Sequence, residues 1–348
     1  MAKKNTTDSS DKASARRLQM ADIARLAGVS TATVSRALSD SPLISDETKA
    51  RIGDLAKSLN YSINVGAKNL RLGQNRTIAV VVPYDTPSRQ HLTDPFFLGI
   101  LGSIADALTE RGYDMLLTRV DCERLDKSTE PYETGRAVGV ILIGQWRHHD
   151  QLNELAIRGL PIVVWGAQFE RQLYTTVGGD NVKGGYLATK HLLELGKRKI
   201  AFLGDVALAE VAQRHEGYRA ALEEFGVKYR SELTRHTPFV ADDGARATRE
   251  LVDGKVRFDA IFACSDMLAM AAINTLRGYA IEVPAQVSVV GYDDTILASQ
   301  FNPPLTTIRQ PIDKAGAALV DALLDLIGGG QNKAHVLETE LIVRGSAA

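Results

Sequence analysis

Between Met20 and Asp40 the chain reads MADIARLAGVSTATVSRALSD. Arg36 carries a planar guanidinium that can form two parallel hydrogen bonds to O6 and N7 of a guanine. The hydroxyls of Ser30, Thr33 and Ser35 are short enough to bond phosphate oxygens near a helix N-terminus, where free backbone N–H groups already favour anions. Such groups read a base pair only if a short helix carries them into the major groove, and the surrounding residues supply that helix. Met20, Ile23, Ala24, Leu26 and Ala27 recur at helical spacing. Gly28 can take the left-handed conformation that ends a helix, and Ser30 can cap a second helix over Thr31–Leu38. Val29 and Val34 should pack inward, which leaves Thr31, Ala32, Thr33, Ser35 and Arg36 facing outward. Ser45 can cap a third helix, Asp46–Leu59, with an apolar stripe of Ile52, Leu55, Ala56 and Leu59. This is the signature of a helix-turn-helix; the alternative is a three-helix bundle with no nucleic-acid role.

Charge supports a polyanion partner for this part of the chain. Residues 1–76 hold 13 Lys/Arg and 7 Asp/Glu, and the totals of 41 and 42 leave 28 basic and 35 acidic residues for 77–348. A segment of +6 therefore precedes a body of −7, so double-stranded DNA is an expected partner of the first part only. Residues 1–17 are polar, lack the apolar core of a secretory signal, and are expected to form a disordered tail. No apolar run approaches the ~18 residues of a membrane span, so no membrane is expected as a partner. The two cysteines, Cys122 and Cys264, lack metal spacing and suit free thiols of a reducing, cytoplasmic compartment.

From Thr77 the pattern changes. IAVVVP (78–83), YDMLLT (113–118), VGVILIG (138–144), LPIVVWG (160–166), KIAFLG (199–204), FDAIFA (258–263) and VSVVGYDD (287–294) are short apolar strands separated by helix-like stretches. The first of these, 95–112, is amphipathic. Strand–helix alternation with continuous apolar strands implies parallel sheets covered on both faces. About 270 residues is too much for one sheet, so the expected fold class is α/β, with an all-α headpiece followed by two doubly wound parallel-sheet subdomains. Residues 61–76 are polar, without a core stripe, and mark a linker.

DIARLAGVSTATVSRAL, followed by ISDETKARI and LNY, resembles the headpiece of the lactose-repressor (LacI/GalR) family, and the resemblance continues to GYDDT and PPLTTIRQ, covering roughly 18–345. It implies a headpiece over 18–63, a hinge helix and linker over 64–76 and an effector-binding, dimerising core over 77–348. The core would divide into one subdomain of about 77–175 and 309–328 and a second of about 176–308 and 329–348. Thr31 and Ala32 fall on the family's two main base-specifying positions and Arg36 on its third. Ser39, Ser45, Thr48, Tyr61 and Asn64 match phosphate-contacting positions, and Leu70 matches a leucine that wedges into the minor groove; the alternative for Leu70 is a linker leucine packed on its own domain. Three departures stand out: Gly66 within the short hinge helix, at a cost of about 0.5–1 kcal/mol relative to alanine, Pro131 where a regular amphipathic helix is expected, and Ser265 where the family commonly has an asparagine before the residue matching Asp266.

The same resemblance implies the architecture of periplasmic sugar-binding proteins, with a ligand between two subdomains. Ligands of open α/β sheets sit beyond the carboxyl ends of strands, which selects Asp94, Trp146, Trp165, Gln168, Ser265, Asp266 and Asp293. Arg214, in QRHEGYRAAL, matches the family arginine that holds sugar hydroxyls, and Phe239 matches an aromatic set against the sugar ring; Phe96 joins them as an effector-binding candidate. Asp266 and Asp293 are equally readable as helix caps, Trp165 as core, and Arg214 as a surface ion pair. A mono- or disaccharide suits these groups, since charged planar groups bond vicinal hydroxyls and aromatic faces stack on the C–H side of a pyranose.

The function so implied is a sequence-specific transcriptional repressor of carbohydrate-utilisation genes that binds a palindromic operator as a homodimer and is released by a sugar. A corepressor-type regulator responding to a non-sugar such as a purine is the alternative, and a sugar-binding transport protein a more distant one. The chain has no GxGxxG after a strand, no GxxxxGK[ST], no GxSxG and no HExxH, so neither enzymatic activity, nor a cofactor, nor a metal is expected. His148 and His149 are adjacent without a carboxylate at metal spacing. The apolar stripe Phe96, Leu98, Leu101, Ile104, Ala105 and Leu108 is the expected subunit contact. The segment HVLETELIVRGSAA shows no leucine heptads, so no tetramerising coil is expected.

Overall fold

The computed structural model describes residues 19–38, 40–59, 75–85, 90–254 and 257–348. Two compact units divide at Gln74 and Asn75.

In the first unit, three helices, α1 (Met20–Ala27), α2 (Thr31–Ala37) and α3 (Asp46–Ser58), follow the expected boundaries to within a residue. Gly28 takes φ 66° and ends α1. Ser30 and Ser45 cap the next two helices by accepting from the backbone N–H of Thr33 and of Thr48. Ile23, Val34 and Ile52 are fully buried where the helices meet. Leu26, placed in the apolar stripe by its spacing, is 54% exposed instead.

The second unit holds two six-stranded sheets. The first sheet takes β1 (Thr77–Tyr84), β2 (Asp114–Asp121), β3 (Gly139–Ile143), β4 (Ile162–Trp165) and β5 (Thr175–Gly179). The helices α4 (Pro95–Glu110), α5 (Glu130–Glu133) and α6 (His149–Ile157) lie between these strands. The chain then crosses into α7 (Asn181–Glu194), β6 (Ile200–Leu203), α8 (Ala209–Glu224), β7 (Thr234–Arg235), α9 (Ala241–Asp253), β8 (Ala260–Ala263), α10 (Asp266–Gly278), β9 (Ser288–Asp293), α11 (Ile296–Gln300) and β10 (Thr306–Arg309). It returns through α12 (Ile312–Ile327) to β11 (Ala334–Leu337), and crosses again to β12 (Glu340–Ile342). The strand orders are β11-β5-β4-β3-β1-β2 and β12-β10-β9-β8-β6-β7. All pairs are parallel except β10 with β12. Each sheet is covered on both faces, as its continuous apolar strands require.

Two boundaries differ from expectation. β5 pairs with β4, so the first subdomain extends to Gly179 rather than ending at 175. β11 pairs with β5, so 334–337 belongs to the first sheet rather than the second. TTVGG and AHVL lack the unbroken apolar run that marks β3, β4, β6 and β8. The helix α4 also turns its stripe inward: Leu101, Ile104 and Leu108 are buried in the first subdomain's own core, while Leu98 is 57% exposed. That stripe is core, and only the flank carrying Leu98 is open to a second subunit. Pro131 has a local explanation, since it sits in the first turn of the short α5, where a missing N–H costs no intrahelical bond.

Candidate functional site

On the first unit, Thr31, Ala32 and Arg36 are exposed and Thr33 and Ser35 half-buried, so one face of α2 is presented to solvent. The hydroxyl pairs Ser30–Thr33 and Ser45–Thr48 are each 2.9 Å apart. They hold the N-termini of α2 and α3, where backbone N–H groups collect. Ser39, Tyr61, Asn64 and Leu70, the hinge helix with Gly66 and the tail over 1–17 lie outside the described residues.

In the second unit the carboxyl ends of the strands of both sheets face a common cleft. Asp94, Phe96, Trp146, Trp165, Arg214, Phe239, Ser265 and Asp293 all line it. Asp94 also caps α4, accepting from the N–H of Phe96 at 2.9 Å, so its cap and cleft readings coexist. Trp165 is both core and wall.

Arg214 is only 5% exposed. Its Nε donates to Asn181 Oδ1 at 2.9 Å and its Nη1 to the carbonyl of Cys264 at 2.6 Å. Its guanidinium lies 3.7 Å from the centre of the Tyr292 ring, a cation–π contact. Two glycines allow this placement. A Cβ on Gly185 of α7 would run into the carbonyl of Arg214, and one on Gly217 of α8 into the carbonyl of Val182. The two helices therefore approach at backbone contact, which brings Asn181 within reach of Arg214.

Asp293 ends β9 at φ 126°, a conformation that is costly for any residue with a Cβ. Its Oδ1 accepts from Gln310 Nε2 at 2.7 Å. Burial, and then the neighbouring Asp266 carboxylate, raise its pKa well above the ordinary value, with Arg214 opposing. Asp294 and Trp146 also have positive φ, 56° and 51°, so backbone strain gathers around the cleft.

Asp266 is turned away from the cleft. Its Oδ1 accepts from Thr307 Oγ1 at 2.6 Å, and its Oδ2 from the N–H and Oγ1 of Thr295 at 2.7 and 3.0 Å. It ties α10 to the β9–α11 and β10 segments and is not among the residues that line the cleft. The Ser265 Oγ caps α10 instead. Gln168 is exposed and borders a separate depression with Asn181 and Gln213. Its carbonyl accepts from Gln213 Nε2 at 2.7 Å, joining the two subdomains.

Spacing arguments passed over Gln90, Phe97, Leu208, Glu210 and Gln310, all of which line the cleft. Gln310 follows β10, so the strand-end rule reaches it. Glu210 lies one helical turn before Arg214, a neighbour at i−4. Gln90 sits in a loop with no signal. His148 and His149 have local partners: Nε2 of His148 lies 3.4 Å from Glu123, and Nδ1 of His149 lies 2.9 Å from the Tyr174 hydroxyl. Among the described residues no group of three or more His, Cys, Asp or Glu is placed to hold a metal ion, and no helix is long and apolar enough to cross a membrane.

Comparison with known proteins places these two sites in one family. Residues 19–64 match the family described as bacterial regulatory proteins, lacI family, and residues 189–347 match the periplasmic binding protein-like domain. The HTH-type transcriptional regulator CelR of Thermobifida fusca is 35% identical over 343 residues, covering 95% of this chain and 98% of that protein. The structure of a transcriptional regulator CelR–cellobiose complex is 34% identical, with a TM-score of 0.69 over 95% of this chain and 100% of that one. The lac repressor dimer bound to operator and the anti-inducer ONPF shares the fold, with a TM-score of 0.83 at 23% identity over 95% of this chain and 99% of that one. With a capped recognition helix on one unit and a two-sheet cleft on the other, the chain belongs to the lacI family of bacterial regulatory proteins and is a DNA-binding transcriptional regulator, not an enzyme.

Proposed function

We propose that this regulator is a cytoplasmic repressor that binds a palindromic operator as a homodimer, and that a small sugar in the cleft releases it. The observation that carries the effector reading is the convergence of a buried arginine, Arg214, with Asp94, Asp293, Gln310 and the aromatic walls Trp146 and Phe239 in one cleft between the sheets. With Nε and one N–H of Nη1 of Arg214 bonded to the protein, the second N–H of Nη1 and those of Nη2 are left to donate to a ligand hydroxyl. Carboxyls and amides accept from or donate to neighbouring hydroxyls, and an indole or phenyl face covers the C–H side of a ring. The cellobiose held by the CelR relative supports a carbohydrate of one or two rings. On the DNA side, Arg36 is assigned a guanine, Thr31 and Ala32 van der Waals contact including thymine methyls, and the hydroxyls of Ser30, Thr33, Ser35, Ser45 and Thr48 the phosphates.

Two headpieces on a near-palindrome require a two-fold dimer. Its contact is assigned to the exposed side of the first subdomain, where Leu98 of α4 and Met115 and Leu117 of the edge strand β2 are open. The effector touches both subdomains and so favours one angle between them, and that angle sets the spacing of the two β1 strands in the dimer. The test is fluorescence anisotropy of a labelled palindromic operator, titrated with cellobiose, other sugars and purine bases. Release by a sugar supports the reading. Tighter binding with a purine supports the corepressor alternative and overturns it.

A further inference from the structure

The charge lining the cleft is lopsided. Among the described residues, Asp94, Glu210 and Asp293 face it with a single cation, Arg214. That cation already has two of its guanidinium nitrogens bonded to the protein. Glu210 is the added element: it projects from α8 one turn before Arg214 and lines the cleft, with the backbone N–H of Gln145 in the other subdomain near enough to oppose the effect of burial on its pKa. It therefore stands where the two subdomains approach each other over the ligand. Among the described residues, the chamber that continues the cleft past Trp146 and Phe239 offers no free cation to an anion either. Its carboxylates include Glu123 and Asp205, and its cations are already used: Arg147 Nη2 lies 2.7 Å from Asp205 and His148 Nε2 lies 3.4 Å from Glu123.

We infer that the effector is an uncharged polyhydroxylated molecule and that Glu210 is a specificity-determining residue that rejects phosphorylated or carboxylated forms of the same sugar. This rests on the carbohydrate reading above and narrows it. A phosphate dianion brought into this site loses its hydration and finds, among the described residues, three carboxyl groups against one guanidinium. A neutral sugar brings no charge to desolvate, and each carboxyl can accept one of its hydroxyls. Burial raises the pKa of Asp94, Glu210 and Asp293 alike by desolvation, so the site disfavours negative charge on its own carboxyls as it does on a ligand.

The experiment uses the full chain on its operator, with glucose, ribose and cellobiose set against glucose 6-phosphate, ribose 5-phosphate and gluconate, and with neutral purine bases included. Thermal shift and operator anisotropy are read together. The expected result is a response to a neutral sugar and a response at least about 100-fold weaker to an anionic one. Glu210→Gln is expected to narrow that gap by about tenfold, and Glu210→Asp to keep it; the variants' own unfolding transitions report that they are folded. An anionic sugar that acts as well as a neutral one overturns the inference and leaves the carbohydrate reading standing. A neutral purine base as sole effector overturns the carbohydrate reading and leaves the exclusion of anions standing. A gap unchanged in a folded Glu210→Gln protein removes Glu210 from the role, and no response to any neutral member of the panel overturns the inference.

Discussion

Arg214 on α8 donates to Asn181 on α7 across the closest helix crossing of the second subdomain, at 2.9 Å. The bond exists because Gly185 leaves room for the Arg214 carbonyl and Gly217 for that of Val182. Gly185→Ala must push the helices apart. Overpacking of this kind costs about 1–3 kcal/mol. Urea unfolding of the core should show that loss, and effector affinity should fall with it, because Arg214 no longer reaches the cleft in the same place. Unchanged stability and affinity would mean that the crossing tolerates a methyl group and does not position Arg214.

DNA readout separates by residue. Arg36→Ala should remove a base contact worth about 1–3 kcal/mol and relax preference at one symmetric pair of operator positions. Ser35→Ala should weaken binding to all sequences about equally, since a phosphate contact carries no base information. Selection of operators from a randomised pool measures both. An unchanged selected sequence for Arg36→Ala would remove that residue from the groove.

The buried carboxyl of Asp266 gives a pH signature. Burial, opposed by the hydrogen bonds from Thr307 and Thr295, pushes it up to about 7, and the neighbouring Asp293 is raised as well. In the unfolded chain an aspartate titrates near about 4. The folded state therefore holds a proton that the unfolded state has released. The stability contributed by that proton is full below about 4 and is lost as pH rises toward 7. Asp266→Asn loses an acceptor at every pH but no longer titrates, so its stability relative to the parent should improve steadily between about pH 4 and 7. Parallel stability curves would contradict the assignment.

Subunit contact is assigned to Leu98 and the β2 edge, not to the buried stripe of α4. Leu98→Asp should shift sedimentation toward a monomer and weaken operator binding in proportion, while leaving the unfolding of the core nearly unchanged, because Leu98 is 57% exposed. A variant that remains dimeric at micromolar concentration places the contact elsewhere.

The helix-turn-helix was legible almost to the residue because Gly28, Ser30 and Ser45 act locally, through a left-handed turn and two caps. The long apolar strands were legible for the same reason. β5 and β11 were not, since TTVGG and AHVL become strands only through pairing with each other and with β4. Strand-end logic brought Asp94, Trp146, Trp165, Ser265 and Asp293 to one cleft, and the family resemblance added Arg214 and Phe239, yet strand ends could not tell Asp266, turned inward to two threonines, from Asp293 beside it. It also missed Glu210, whose place depends on how α8 meets the opposite subdomain.

Cleft and operator should be reciprocally coupled. Operator affinity measured by anisotropy, with and without saturating sugar, should differ by about 5–150-fold, and sugar affinity measured with and without operator should differ by the same factor. Arg214→Ala and Asp293→Ala should each bind operator and fail to respond to the sugar. Equal operator affinity in the presence and absence of a sugar that demonstrably occupies the cleft, or a full response from a folded Arg214→Ala protein, would contradict the account.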